Sequence, residues 1–355
     1  MGKQTLKVPR SKSHNKSHNK SQNKRRKSKK QSLKNPKCNL VYMAKPIYGG
    51  WVSFTAHLAK KKDYPLFRIS NKTESKTRDY GYGVEYQNLN IDDLVKKPNL
   101  LITAIDKNFY QYLPKIRKAT IVIHDPTELK EPVLDVLKSK RFKVITIRET
   151  VEKLLRDVHG IKSQFLHHPF YQFPKSQSKS KPESSNQNKN SKIKKNKSIS
   201  LSRVDFDKHT DIIVDANQKL QNPVDIYGAL NDLYVYHKLS KTPFKKYYKG
   251  RFPKTFDALV DLLASAKFVV DMSAINKDGG GSQYTFLEAI HMDCALVLNK
   301  KWVEGVKTPF KHGVNCYVVE DADGLHKLLK SNPNTKQVVA NAKKMLAPHI
   351  SGKGW

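Results

Sequence analysis

Residues 268–290 have the sequence FVVDMSAINKDGGGSQYTFLEAI, which joins an apolar run, a triple glycine and an amphipathic segment. This order predicts a buried β-strand, a loop and an α-helix. Glycines let a backbone approach a phosphate or a sugar closely, and the amino end of a helix favours an anion. Gly280, Gly281 and Ser282 are therefore candidate ligand-binding residues. Glu288, one turn into the helix, can accept hydrogen bonds from the two hydroxyls of a ribose.

The same alternation extends over most of the chain. In the first half we predict strands at 40–43, 100–102, 120–123 and 144–147, and helices at 51–62, 128–138 and 149–159. In the second half we predict strands at 199–202, 224–227, 247–248, 268–271, 295–298 and 316–319, with helices near 209–220, 230–239, 254–265, 283–292, 322–330 and 335–346. Strands separated by helix-length spacers indicate parallel sheets. The predicted fold class is α/β, with two Rossmann-like, doubly wound domains facing each other across a cleft.

Two basic, polar segments divide the chain. Residues 1–37 contain fourteen Lys and Arg and no acid, and residues 171–198 are rich in Lys, Ser and Asn. Dense like charge with little apolar surface predicts a disordered basic tail and a disordered linker. The N-terminal domain then covers residues 38–170, and the C-terminal domain covers residues 199–334. We expect residues 335–355 to form a helix that packs back on the N-terminal domain.

The whole chain has a formal charge of +36. The basic tail is either a nucleic-acid arm or nuclear address, with DNA or another polyanion as partner of residues 1–37, or only a solubilising segment. No apolar stretch is long enough to span a membrane, and no apolar region follows the basic N-terminus as in a secretory signal. Three distant cysteines without CxxC spacing argue against a disulfide framework. We therefore expect a soluble, intracellular protein of the cytoplasm or nucleus.

Two cations follow the strand predicted at 199–202. Arg203 and Lys208 lie at the start of the next helix, where backbone amides and cationic side chains can bind a diphosphate. Asp205 and Asp207 lie between them, and an Asp-x-Asp pair can hold a divalent metal. Beside two cations we favour a structural interpretation, in which Asp207 caps the helix and Asp205 orders the turn.

The order of these motifs resembles that of the retaining GT-B glycosyltransferases, the superfamily of glycogen synthase and the phosphatidylinositol mannosyltransferases. The counterpart of the diphosphate motif lies at residues 202–208, and that of the next strand with its glycine lies at residues 225–228. The base-recognition stretch corresponds to residues 248–250 with 258–273, and the Leu-Glu-Ala motif corresponds to residues 286–289. The N-terminal glycine loop has its counterpart at residues 46–59, and a strand that ends in a histidine has its counterpart at residues 121–125.

The resemblance implies transfer of a hexose from a nucleotide-diphosphate sugar to an acceptor, with retention of anomeric configuration. UDP-glucose is the expected donor, and neither a metal ion nor another cofactor is implied. Arg203 and Lys208 would neutralise the leaving diphosphate, and His124 would contact the donor sugar. Gly49 and Gly50 would enclose the sugar from the opposite side of the cleft.

The sequence departs from the family at the first of the two glutamates of its acidic motif. That glutamate lies eight positions before the second one, which places it at Gly280. In the family it holds the donor sugar, and Asp278 or the amides of the glycine loop would have to replace it. The departure leaves a second hypothesis open, a nucleic-acid-binding protein on a catalytically inactive GT-B scaffold.

The acceptor is left open between a modified DNA base and a glycan. GT-B enzymes of some large DNA viruses and phages glucosylate hydroxylated bases, and this chain resembles them in fold class and charge. Residues 79–86, DYGYGVEY, provide tyrosines that could stack on a base or a sugar. The alternative is an ordinary glycine-rich turn with exposed tyrosines.

Overall fold

An eight-stranded sheet forms the first half of the structure, a computed structural model that describes residues 37–45, 49–175, 195–251, 255–274 and 283–355. Its strands are β1 (Asn39–Met43), β2 (Leu66–Ile69), β3 (Thr77–Gly81), β4 (Val84–Leu89), β5 (Leu100–Ile105), β6 (Ala119–Ile123), β7 (Phe142–Thr146) and β8 (Ser163–Phe165). They follow the order β3-β4-β2-β1-β5-β6-β7-β8, and only β3 and β4 pair antiparallel. All six residues of β5 are buried, as expected for a parallel sheet covered on both faces.

The helices of this half connect successive parallel strands. They are α1 (Gly50–Lys62), α2 (Ile91–Leu94), α3 (Glu131–Lys138) and α4 (Glu149–Asp157), with 3-10 segments at Lys107–Lys115 and Pro126–Glu128. Helix α1 begins after Gly49, whose φ of +92° favours glycine, and ends at Asp63 in the left-handed region. It packs against β1, β4 and β5 and also contacts the second half of the chain.

A five-stranded parallel sheet forms the second half. Its strands are β9 (Lys197–Leu201), β10 (Val224–Tyr227), β11 (Ala266–Asp271), β12 (Ala295–Asn299) and β13 (Tyr317–Val319), in the order β10-β9-β11-β12-β13. Its helices are α5 (Thr210–Asn217), α6 (Asp232–Tyr234), α7 (Phe244–Tyr247), α8 (Phe256–Ala264), α9 (Gln283–His291), α10 (Lys300–Gly305), α11 (Ala322–Ser331), α12 (Lys336–Lys344) and α13 (Ala347–Ser351). A π-helical turn, Val235–Leu239, extends α6, and a 3-10 turn, Phe206–Lys208, precedes α5.

One hydrophobic cluster is shared by the two halves. It includes side chains of β1 and α1 from the first half together with side chains of β9, α8 and α9 from the second. Two further clusters cover the opposite faces of the first and the second sheet. The two sheets are therefore joined by a continuous apolar interior.

The predicted fold class is confirmed, because both halves are parallel α/β layers of the Rossmann type. One of the predicted elements was wrong. The strand predicted at 247–248 is instead the end of α7, and Tyr248 forms only an isolated bridge with Ile226. The short strands β2, β3, β4 and β8 were not predicted.

The tyrosine-rich segment at residues 79–86 is a β-hairpin: the interpretation as a glycine-rich turn describes its tip, and the two flanking strands were not predicted. Strands β3 and β4 are joined by the two residues Tyr82 and Gly83, whose φ angles of +58° and +64° are typical of a type I′ turn. Tyr80 and Tyr82 are buried at 4% and 5% exposure. The prediction of exposed tyrosines is therefore wrong for these two side chains, and neither is free to stack on an external base.

The ends of the predicted linker belong to the folded part of the chain. Phe173 is buried, and Lys195 donates to the carbonyl oxygens of Leu263, Ala266 and Met292. Residues 176–194 and the tail up to residue 36, both predicted to be disordered, lie outside the described residues.

The C-terminal residues contact the first half of the chain. Lys62 Nζ donates to the carbonyl oxygen of Gly352 at 3.2 Å, and Trp355 Nε1 donates to that of His167 at 2.8 Å. The indole of Trp355 also packs on Phe54 of α1, with 5.3 Å between ring centroids.

Candidate functional site

Arg203 and Lys208 lie directly after β9, at the carboxyl edge of the second sheet. The Lys208 ammonium is buried and donates to Ser273 Oγ, two residues after β11, at 3.0 Å. The Arg203 side chain is half-exposed. The amino end of α9 lies at the same edge, because Thr285 Oγ1 donates to the carbonyl oxygen of Leu201 at 3.0 Å. Two cations and the beginning of a helix thus meet where parallel α/β sheets bind ligands.

Asp205 and Asp207 hold the two cations in place. Asp205 accepts from Arg203 Nη1 at 2.8 Å and from the amide of Phe206 at 2.8 Å, so Asp205 caps the 3-10 turn. Asp207 lies 3.4 Å from the Arg203 guanidinium and 3.5 Å from Lys208 Nζ. The sequence prediction that Asp207 caps the helix is wrong, because the residue before α5 is His209, in the left-handed region with no side-chain cap.

A metal interpretation of the same residues finds no support in the described part of the chain. No group of three or more His, Cys, Asp or Glu side chains is arranged there to hold a metal ion. The two aspartates are instead occupied by Arg203 and Lys208.

Close packing at Gly228 explains why a glycine follows β10. A Cβ atom built on it would lie 1.9 Å from the carbonyl oxygen of Ser202, the residue before Arg203. Its amide donates to Gly250, and its carbonyl oxygen accepts from the Tyr248 hydroxyl at 2.8 Å. The three segments that the family resemblance places around the donor are thus packed backbone to backbone.

His124 lies at the carboxyl end of β6, in the first half. Its Nε2 is 2.7 Å from the carbonyl oxygen of Thr103, and because a carbonyl only accepts, Nε2 carries the proton. Burial lowers the pKa of His124 to about 4, so the ring is neutral near pH 7. Nδ1 then keeps its lone pair and can accept, but not donate, a hydrogen bond.

Glu128 is a buried acid at this edge that was not predicted as a site residue. Its Oε1 accepts from Trp51 Nε1 at 3.0 Å, and its Oε2 accepts from the backbone amide of His124 at 3.2 Å. Burial raises the pKa of Glu128 well above its usual range. Trp51 is the second residue of α1, so Glu128 connects the helix after Gly49 and Gly50 to the end of β6. The only sequence signal was an acid four residues after a strand-end histidine.

Glu288 of α9 faces the first half of the chain. Its Oε1 lies 3.2 Å from Nε2 of His57, a residue of α1, and both side chains are buried. Burial raises the pKa of Glu288 to about 8 and lowers the pKa of His57 to about 3. His57 lies within residues 46–59, the counterpart of the N-terminal glycine loop and its helix, and it was not predicted as a site residue.

The structure thus brings some of the predicted residues together. Arg203 and Lys208 share one cluster, and His124 is joined through Glu128 to the beginning of α1 next to Gly49 and Gly50. Glu288 contacts α1 from the opposite half. Four further candidates, Asp278, Gly280, Gly281 and Ser282, lie outside the described residues.

Comparison with solved structures gives matches over nearly the whole chain. A crystal structure of Anabaena HepE in complex with UDP matches with a TM-score of 0.60 at 12% identity, covering 89% of this chain and 96% of that chain. A structure of an alpha-glucosyltransferase in complex with UDP and a 13-mer DNA containing a central A:G mismatch matches with a TM-score of 0.58 at 12% identity, covering 88% and 93%. A glycosyltransferase from Rickettsia africae matches with a TM-score of 0.54 at 13% identity, covering 89% and 93%.

No protein-family model matches the sequence, and no curated protein matches it. At identities this low, similarity over 88–89% of the chain establishes a shared fold, and the fold of this chain is GT-B. In the described part of the chain, none of the helices is both long and apolar enough to cross a membrane.

Proposed function

We propose that this protein is a retaining glycosyltransferase that moves a hexose from UDP-glucose to an acceptor hydroxyl. The observation that carries the proposal is the pair Arg203 and Lys208 beside the amino end of α9, since two cations and helix amides suit a diphosphate. The GT-B fold supports it, because the matching HepE and alpha-glucosyltransferase structures contain UDP.

In the proposed reaction, the bond between the anomeric carbon and a diphosphate oxygen breaks while the acceptor oxygen bonds to the same face of the sugar. The proton of the acceptor hydroxyl passes to the departing diphosphate oxygen. Negative charge develops on the leaving diphosphate. Arg203 and Lys208 neutralise this charge, and their contacts with Asp205, Asp207 and Ser273 hold them in place before the donor arrives. Cations that are positioned in advance need no reorganisation in the transition state. The proposal therefore assigns this work to side chains, without a metal ion or another cofactor.

The remaining residues bind the rest of the donor in this proposal. His124 accepts a hydrogen bond from a sugar hydroxyl through Nδ1, the nitrogen that its contact with Thr103 leaves unprotonated. Gly49 and Gly50 enclose the sugar, and described atoms leave space beside both, since a Cβ on either would meet none of them within 4 Å. Glu288 binds the ribose.

Residues 278–282, between β11 and α9, would complete the proposed donor site. Gly280, Gly281 and Ser282 would contact the sugar and the diphosphate through backbone amides. Asp278 would replace the glutamate that the family has at the position of Gly280.

For the acceptor, we propose a hydroxylated base of DNA rather than a glycan. The formal charge of +36 favours a polyanionic acceptor, and the basic tail supplies affinity for phosphate that is blind to sequence. The match to an alpha-glucosyltransferase whose structure contains DNA is consistent with this choice.

A transfer screen tests both parts of the proposal. The full-length protein is incubated with UDP-, GDP- and ADP-sugars that carry a radiolabelled hexose, together with hydroxymethylated duplex DNA or a panel of glycans. We expect label in the DNA with UDP-glucose, and NMR of the product should show the α configuration of the donor. Label only in glycans would contradict the proposed acceptor, and no transfer or hydrolysis with any donor would contradict the proposed function.

A further inference from the structure

We propose that His57 is a positioning residue for the donor: it holds the carboxyl group of Glu288, so that α1 of the first half sets how tightly the second half binds the ribose. The inference rests on the proposed function, in which Glu288 is the ribose ligand. It assigns a role to His57, which lies 231 positions away from Glu288 in the sequence.

The hydrogen bonds around His57 define which nitrogen carries its proton. The backbone amide of Tyr171 donates to His57 Nδ1 at 3.0 Å, so Nδ1 must present a lone pair. Because the ring is fully buried and neutral, its single proton is on Nε2. Nε2 lies 3.2 Å from Glu288 Oε1. His57 Nε2 therefore donates to Glu288, and it donates to no other residue in the described part of the chain.

Aromatic packing fixes the orientation of the His57 ring. Phe170 stacks on one side and Tyr284 on the other, with centroid distances of 4.9 Å and 4.6 Å and interplanar angles of 23° and 21°. The edge of Phe256 closes a third side at 5.0 Å. Rotation of the ring would break both stacks, so the direction of its N–H bond is fixed by three elements of the fold.

The consequence for Glu288 is a carboxyl group that is oriented before the nucleotide binds. Because burial raises the pKa of Glu288 to about 8, the carboxyl group carries a proton near pH 7, and the His57 N–H at Oε1 leaves this proton on Oε2. Oε1 can accept from His57 and still accept from one ribose hydroxyl, while Oε2 donates to the oxygen of the other. A flexible glutamate would lose side-chain entropy when it binds the ribose, and this cost is smaller for one that His57 already holds. Loss of the His57 N–H should therefore weaken donor binding in the ground state and the transition state alike.

Two substitutions separate this role from a purely structural one. Asn at position 57 can place its amide oxygen near the position of Nδ1 and keep the contact with Tyr171, but it loses the N–H to Glu288. Gln can place an amide N–H near the position of Nε2 and keep the contact with Glu288. Both variants lose the aromatic stacks, so both should be less stable than the wild-type protein. They differ in the hydrogen bond that they keep: Asn keeps the one with Tyr171, and Gln keeps the one with Glu288.

The measurements are KM and kcat for the nucleotide sugar, the Kd of UDP by calorimetry, and the midpoint of thermal unfolding. For His57→Asn we expect KM and Kd to rise about tenfold with kcat within about twofold, because one hydrogen bond to a carboxyl group is lost. For His57→Gln we expect KM within about threefold of the wild-type value. Asn217→Ala, which loses two hydrogen bonds to Val224 far from Glu288, is the control for lower stability with unchanged KM.

Equal KM values in the Asn and Gln variants, or a loss confined to kcat, would overturn the inference while transfer by the wild-type protein upholds the proposed function. Equal changes of KM and of unfolding midpoint in all three variants would also overturn it, since stability alone would then explain the effect. If the wild-type protein neither binds UDP nor transfers a sugar, the proposed function fails and this inference fails with it.

Discussion

Trp51 donates its indole N–H to Glu128 Oε1 at 3.0 Å, although the two residues are 77 positions apart. The contact ties the first turn of α1 to the end of β6, because Oε2 of the same carboxyl group accepts from the amide of His124. A single buried acid thus sets the spacing between the helix that follows the glycine loop and the histidine proposed to contact the sugar.

Glu128→Gln should destabilise the protein by about 1–3 kcal/mol, because the amide NH2 faces one of the two N–H groups and leaves it without an acceptor. Trp51→Phe should cost less, since it removes one donor and leaves the contact with His124. Urea unfolding of the two variants measures the free energies. If Glu128→Gln lowers the free energy of unfolding no more than Trp51→Phe does, the hydrogen bond from the amide of His124 to Glu128 contributes nothing to stability.

Arg203→Ala and Lys208→Ala should each lower kcat/KM by about 100-fold or more, because each removes a charge-assisted contact to the leaving diphosphate. Lys219→Ala removes a lysine that pairs with Asp323 on the surface, and it is a matched control for the loss of one positive charge. Steady-state kinetics with the donor varied provides the measurement. Near-wild-type activity of a folded Arg203 or Lys208 variant would remove these residues from the donor site.

Transfer activity should survive treatment with EDTA. The expectation follows from the contacts of Asp205 and Asp207 with Arg203, which use the carboxylates that a metal ion would need. The rate is measured before and after chelation and again after addition of Mg²⁺ or Mn²⁺. Loss of activity with EDTA and rescue by either ion would show that the mechanism depends on a metal.

The stability of the protein should depend on pH through Glu288. Burial raises the pKa of this carboxyl group from 4.5 to about 8, so in this range the folded protein keeps a proton that the unfolded chain releases. The resulting stabilisation is complete below about pH 4.5 and is lost as the pH rises through about 8. Glu288→Gln lacks this dependence, while its amide oxygen still accepts from His57.

We therefore expect the free energy of unfolding of the wild-type protein, relative to that of Glu288→Gln, to decrease steadily between about pH 5 and pH 8. The difference between the two proteins removes the contribution of His124, which titrates in both and does not contact Glu288. Denaturant unfolding at several pH values gives the two profiles. Parallel profiles would show that the carboxyl group titrates at its usual pKa.

Deletion of residues 1–37 should weaken binding to duplex DNA and reduce its salt dependence, because the deletion removes fourteen cations that can contact phosphates. Transfer to a saturating acceptor should change little. Fluorescence anisotropy at several salt concentrations measures the slope of log K against log salt. An unchanged slope would assign the DNA contacts to the folded part of the chain.

Much of the fold follows from local patterns in the sequence. The apolar runs that became β5, β6, β7, β11 and β12 were predicted because strands buried on both faces are continuously apolar over several residues. The segment with Arg203 and Lys208 was placed after a strand for the same reason. Short edge strands such as β3 carry no such run, and the hairpin at Tyr82 depends on how two tyrosines pack against distant side chains.

The amino-acid sequence by itself determined the α/β alternation, the two cations after β9 and the position of Glu288 one turn into α9, since these features depend on residues close together in the chain. Only the tertiary structure decided that Glu288 contacts His57 and that Glu128 joins Trp51 to His124. These contacts form between segments 77 and 231 positions apart. Periodicity describes which face of an element is buried, and it contains no information on which distant side chain will lie against that face.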